Sequence, residues 1–161
     1  MCTVGRRASV AQGRALISIW ERAFQSAFVE EEDISILQIL KDFSASLKLA
    51  TSAHDELPAA SAHLAPLFGV VSRIACVPER EAAYVYILSH VKALLSAAVR
   101  AGVFGPYQSQ KMLASREVQE MIEFVIEREW DVSVENAGQT VPMLDLWIGR
   151  HELLYSRIFN S

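Results

Sequence analysis

Residues 79–101 read Glu79-Arg-Glu-Ala-Ala-Tyr-Val-Tyr-Ile-Leu-Ser-His-Val-Lys-Ala-Leu-Leu-Ser-Ala-Ala-Val-Arg-Ala101 and contain neither glycine nor proline. Ser89, Lys92, Ser96 and Arg100 recur at steps of three and four, which gives a helix with one narrow polar stripe. Tyr84, Leu88, Val91, Leu95 and Ala98 line the opposite side, and most of the remaining positions are apolar too. The pattern predicts a helix buried nearly all round, the central helix of a bundle. Pro78 precedes it, where a missing N–H does no harm.

Working outward from this helix, the same periodicity recurs on both sides. Upstream, 9–29 places Leu16, Ile19, Trp20, Ala23, Phe24 and Ala27 on one face. The acidic run Glu30–Asp33 reads as a solvated helix start, with Asp33 capping a helix whose Ile36, Leu40, Phe43 and Leu47 share a face. A break at 54–58 leads to a small-residue helix over 59–75, where Pro66 is expected to kink or divide it. Cys76, at its apolar end, reads as core rather than as a nucleophile. Downstream, Gly102 and Gly105-Pro106 punctuate before a helix over 107–130 with Val118, Met121, Ile122 and Val125 inward and Glu120, Glu123 and Glu127 outward. Trp130 to Glu135 carries the only strand signal. Pro142 then fits the first turn of a terminal helix over 143–156.

The chain has 161 residues and 17.9 kDa, a length that fits one domain with one core. The fold expected is therefore all-α: a single-domain helical bundle over 1–161 with a largely buried central helix. With 52% hydrophobic and 21% charged residues the chain is a globule and not a disordered segment. A net charge of −4 and a pI near 5.6 give no footprint for a phosphate backbone, so no nucleic-acid partner is expected. The uncharged run Leu57–Ser72 is shorter than the ~20 residues of a membrane span, and the N-terminus lacks the apolar stretch of a secretory signal. Cys2 and Cys76 fit no metal or redox spacing. A cytoplasmic protein without a membrane partner is expected.

Sites of known chemistry are mostly missing. There is no nucleophile elbow, no phosphate-binding glycine loop and no paired-histidine motif, so neither a catalytic residue nor a bound nucleotide is expected. His54, His63, His90 and His151 are dispersed. Imidazole suits Ni(II), which leaves His63 and His151 as candidates for a transient metal contact, although a hydrogen-bonded structural histidine is the commoner outcome. Glu120, Glu123 and Glu127 lack the E-x-x-H partners of a di-metal bundle and read as a solvated face. The tail is unusual: Leu144, Trp147, Ile148, Leu154, Tyr155, Ile158 and Phe159 crowd the last residues, interleaved with Arg150 and Arg157. Trp, Tyr and Arg are the residue types enriched at binding hot spots. The tail either closes its own bundle or docks on a partner.

Four blocks carry a family resemblance: Ala8-Ser-Val-Ala-Gln-Gly-Arg14, His63-Leu-Ala-Pro-Leu-Phe-Gly69, Ser96-Ala-Ala-Val-Arg100 followed by Phe104-Gly105 and Gln110, and Gly149-Arg-His-Glu-Leu-Leu-Tyr-Ser-Arg-Ile-Phe-Asn-Ser161. In order and spacing they resemble the UreF-type urease accessory proteins, from about Arg7 onward, and the wording of the tail is similar to eukaryotic members. The resemblance implies an all-α, non-enzymatic protein that dimerises and binds the UreD/UreH-type accessory protein. Together these recruit the UreG-type GTPase and deliver nickel to urease apoprotein. It implies no permanent cofactor, with Ni(II) transient and GTP brought only by a partner.

By the same resemblance 143–161 is a partner-binding tail with Trp147, Arg150, His151, Tyr155, Ser156, Arg157 and Phe159 as contacts. Ser96, Arg100, Gly105 and Gln110 form a second family block with a structural or GTPase-side role. Pro106 stands where bacterial members often carry Gln. The family's usual opening, with W-x-x-x-D-S and a later H-S-x-G-L-E, has no counterpart in Met1 to Val29, so a shortened N-terminus is expected. Two readings compete with the adaptor: a helical small-molecule-binding or hydrolytic domain using His90 beside helix 79–101, and a non-functional fragment of the family.

Overall fold

The computed structural model describes residues 3–27, 34–52, 60–138, 143–151 and 153. Within them the chain is helical: α1 (Thr3–Ile19), α2 (Ile34–Ser52), α3 (Leu64–Ile74), α4 (Glu79–Arg100), α5 (Pro106–Leu113), α6 (Arg116–Glu129) and α7 (Met143–His151). No strand occurs among the described residues. Where alternation suggested one near Trp130, Val134–Asn136 is instead a single 3₁₀ turn started by Ser133. The chain divides into two compact units, Met1–Glu79 and Arg80–Ser161.

The first unit is organised by α1. Gly13, Ile17 and Trp20 are buried at helical spacing along one face, and α3 packs against both α1 and α2. Trp20, Leu37, Leu40, Leu47, Ala62, Leu67 and Ile74 belong to one apolar cluster with Ile17, and Ile36 and Phe43 pack against it, as the spacing of α2 predicts. Gly13 lets α1 approach the segment before α3: a Cβ there would lie 1.9 Å from the Ala62 carbonyl oxygen. Ser9 completes the joint. Its hydroxyl accepts the Leu64 N–H at 3.2 Å and faces His63 Nδ1 at 3.3 Å, so a residue of α1 caps the start of α3.

Three expectations for this unit are corrected. The first helix does not continue to Val29: Trp20–Phe24 widens into a π turn, in which the Gln25 N–H reaches the Trp20 carbonyl, and a 3₁₀ turn over Gln25–Ala27 follows. The changed period rotates every later residue, so Ala23, Phe24 and Ala27 are exposed; Ile19, at the junction, is exposed as well. Pro66 does not kink a long helix. It sits in the first turn of the shorter α3, where the N–H that proline lacks would have had no intrahelical partner. Cys76 is exposed, not core, and adopts a left-handed φ of 54°. It is the C′ residue of α3, with its N–H bonded to Arg73 O at 3.1 Å and Val77 N–H to Ser72 O at 2.9 Å, the Schellman pairing.

The second unit departs most from expectation. None of Glu79–Arg100 is buried, so α4 is not a central buried helix. Its polarity is as the spacing predicts: Ser89, Lys92, Ser96 and Arg100 are exposed, and Tyr84, Leu88, Val91, Leu95 and Ala98 are half-buried. Packing of the second unit covers only the apolar side, and incompletely, leaving Val85 and Leu94 exposed. By length and hydropathy alone α4 could cross a membrane, a point that scanning for uncharged runs misses because Lys92 interrupts it. Tyr84 donates a hydrogen bond to Gln119 and Arg80 pairs with Glu127, so α4 and α6 run antiparallel.

The single helix expected over 107–130 is two. α5 ends at Leu113 with Ala114 as its C-cap, and Ser115 caps α6, its Oγ accepting the Val118 N–H at 3.4 Å. On α6, Ile122 is buried, Val118 and Val125 are half-buried and Glu120, Glu123 and Glu127 face outward, as predicted; Ile126, not foreseen, is buried as well. Met121, expected inward, is 66% exposed, because it lies about 100° round the helix from Ile122.

Candidate functional site

Gly105 and Pro106 shape the site. Gly102 takes a φ of 72° and closes α4 with the Schellman pairing of Gly102 N–H to Val99 O and Val103 N–H to Ala98 O, both 3.0 Å. Gly105 then caps α5, with Pro106 as its first helical residue, and its carbonyl accepts the Ser109 N–H at 3.1 Å. The turn folds α5 back alongside the C-terminal half of α4. Between them lies a groove of about 190 Å³ lined by Lys92, Ser96, Val99, Pro106, Ser109 and Gln110, with Leu95 and Leu113 completing its apolar wall.

The groove brings Ser96 and Gln110 together from separate helices. Both are exposed, whereas Ser109 between them is buried. A serine hydroxyl, a carboxamide and the Lys92 ammonium above an aliphatic wall can donate hydrogen bonds to a carbonyl or carboxylate on an incoming chain. Gly105 serves as the cap that aims α5, and Arg100 is exposed near the end of α4. Neither lines the groove. Ser109 was not among the residues singled out from sequence; the signal was the Gly105-Pro106 helix start, which places residue 109 one turn inside α5. His90 is exposed on α4 and does not line this groove.

Of the tail residues, Trp147 and Arg150 lie three apart on α7, and both are exposed, Trp147 by 66%. Leu146 and Met143 are exposed beside them, an apolar surface on a nine-residue helix. His151 ends α7. Its side chain, and Tyr155, Ser156, Arg157 and Phe159, lie outside the described residues. His63 is half-buried against Ser9, and among the described residues no three His, Cys, Asp or Glu side chains converge to hold a metal ion.

Two carboxylates have shifted titration. Glu117 is held below its ordinary value of 4.5 by its own backbone N–H and then by the Ser115 hydroxyl, and Glu135 is held down in the same way by its backbone N–H and Ser133. Both follow a Ser-x-Glu pattern at a helix start and belong to capping, not catalysis.

Comparison with known proteins places this geometry in context. The UreF family model matches residues 2–117. The chain is 31% identical over 160 residues to an uncharacterized urease accessory protein UreF-like from Schizosaccharomyces pombe, covering 99% of this chain and 63% of that protein. Urease accessory protein 6 of Cryptococcus neoformans is 28% identical, with 98% and 58% covered. Urease accessory protein F of Oryza sativa subsp. japonica is 30% identical, with 97% and 52% covered. The chain thus spans between about half and two-thirds of the length of these relatives. No solved structure matches it.

Proposed function

The chain belongs to the UreF family, and from that premise we propose that it acts in urease maturation as a non-catalytic adaptor in the cytoplasm. In this reading it binds a UreD/UreH-type protein through 143–161, dimerises, and helps recruit a UreG-type GTPase that brings the nucleotide. Nickel is the cargo of the assembly and urease apoprotein its recipient. The observation that supports the reading is the joining of Ser96 and Gln110, two residues of one family block, in the groove between α4 and α5. The groove is shallow and lined by donors and aliphatic carbons, which suits a protein surface better than a small substrate, since ligand pockets usually enclose ~300–1,000 Å³. The exposed Trp147 and Arg150 support partner binding by α7 through the residue types that anchor interfaces.

Co-expression of the 161-residue chain with its cognate UreD/UreH-type protein, followed by size-exclusion chromatography with light scattering, tests the tail. A stable complex is expected, and it should be lost on deleting Gly149 to Ser161. Tyr155→Ala and Arg157→Ala should each weaken it by about 1–2 kcal/mol. Retained binding by the deletion removes the tail from the reading. For the groove, Ser96→Trp together with Gln110→Ala should leave that complex intact and abolish GTPase recruitment; recruitment by the double variant returns the block to a structural role.

A further inference from the structure

The polar side chains of the α4–α5 groove are unspent. Lys92, Ser96, Ser109 and Gln110 line it, and none of these side chains has a hydrogen-bond or ion-pair partner among the described residues. Ser109 is the most telling, because it is only 6% exposed. A helical serine often spends its hydroxyl on the carbonyl one turn back, as Ser89 does on Val85 at 2.7 Å. Ser109 does not. Among the described residues no fully enclosed side-chain oxygen lacks a partner, so the Ser109 hydroxyl keeps its small accessible area, which opens on the groove it lines. The charge is uncompensated too: the lining holds Lys92 and no carboxylate, α5 has no acidic residue, and Glu79 and Glu81 of α4 lie about three turns or more before Lys92.

We propose that this groove takes one glutamate side chain from a partner protein. The inference rests on the reading of the groove as a docking surface and names what enters it. An ionised carboxylate accepts about four hydrogen bonds. The groove offers a donor on each of Lys92, Ser96, Ser109 and Gln110, and the ammonium selects an anion over a neutral carbonyl. The methylenes of a glutamate stem find an apolar wall in Leu95, Val99 and Leu113, whereas aspartate is one methylene too short to keep both sets of contacts. Ser109 sets the depth: Ser96 and Gln110 are exposed at the rim, and the buried hydroxyl is met only by a stem that inserts past them. At about 190 Å³ the groove is smaller than pockets that enclose metabolites, so a side chain presented on a protein surface fills it better than a free ligand.

The test follows the Gln110 carboxamide and the Lys92 ε-methylene of the full chain by NMR. The probes are the blocked peptide acetyl-Ala-Glu-Ala-amide, its glutamine and aspartate counterparts, and butyrate. The glutamate peptide should shift both signals saturably, and the glutamine peptide should bind about tenfold more weakly for want of the charge. The aspartate peptide should lose about threefold. Lys92→Met and Ser109→Ala should each weaken the glutamate peptide about fivefold. Ser109→Ala should also leave the melting temperature in place, since its hydroxyl has no partner in the free chain to lose. Absence of a saturable shift up to about 10 mM, equal binding by the glutamine peptide, or an unchanged affinity in both variants would overturn the proposal. Butyrate binding more tightly than the peptide would overturn the protein-borne assignment in favour of a free carboxylate. GTPase recruitment is scored apart: peptide binding by a chain whose Ser96→Trp, Gln110→Ala variant still recruits the GTPase sinks the recruitment role and upholds the glutamate site.

Discussion

The two units spend their apolar residues differently. In the first, Ile17, Trp20, Leu37, Leu40, Leu47, Leu67 and Ile74 close on one another; in the second, the buried hydrophobic residues among those described are Ile122 and Ile126. Val85, Leu94, Tyr107, Met121, Phe124 and Trp147 are left at the surface of the second unit. What ties α4 to α6 there is partly polar: the Tyr84–Gln119 hydrogen bond, the Arg80–Glu127 pair and the Arg80 guanidinium 5.1 Å from the centre of the Trp130 ring. Exposed ion pairs and cation–π contacts are each worth about 1 kcal/mol or less. Stability therefore concentrates in the first unit and displayed surface in the second, where Ser96, Gln110, Trp147 and Arg150 lie.

Breaking this contrast begins with Trp20. Trp20→Ala should cost about 4 kcal/mol by emptying the largest side chain of the first cluster, and hydrogen exchange should rise across α1, α2 and α3. A loss confined to α4–α6 would reverse the assignment of the stable unit. Next in size, Ile122→Ala should cost about 3 kcal/mol and melt the second unit alone. The two Schellman ends sharpen the comparison further. Cys76→Gly should stabilise by about 1 kcal/mol, by relieving a non-glycine left-handed residue, and Gly102→Ala should destabilise by a similar amount. Urea midpoints of the two variants moving in the same direction would contradict the φ angles.

The smallest effect is acid sensitivity of the second unit. Glu117 and Glu135 titrate below their unfolded value of 4.5, so the stability they add is present above that pH. It is lost as pH falls through their lower folded values. Melts between pH 7 and 3 should show the slope lessened in Glu117→Gln, and an unchanged slope would remove the cap from the account.

Helix faces were legible because polar and apolar residues alternate at helical spacing, as the stripe Ser89, Lys92, Ser96 and Arg100 shows. Depth of burial was not, since hydropathy reports what α4 would tolerate and not what packs against it. The break at Ser115 was present in the Ser-Arg-Glu-Val sequence, yet the apolar period ran through it. The π turn at Trp20–Phe24 has no local signature, so the expected face for Ala23, Phe24 and Ala27 is the wrong one. For the candidate site, the family block singles out Ser96 and Gln110 but says nothing of the groove they line, which depends on Gly105 reversing the chain.

The cap that Ser9 places on Leu64 also governs the order in which structure can accumulate. The donor and acceptor are 55 positions apart, and the Gly13–Ala62 approach spans a similar interval. Closing such a loop carries an entropic cost before any contact repays it. The second unit's caps, Ser115 to Val118 and Gly105 to Ser109, close within three or four positions. During refolding α5 and α6 should gain protection first, and α3 only once the N-terminal helix has returned to meet it.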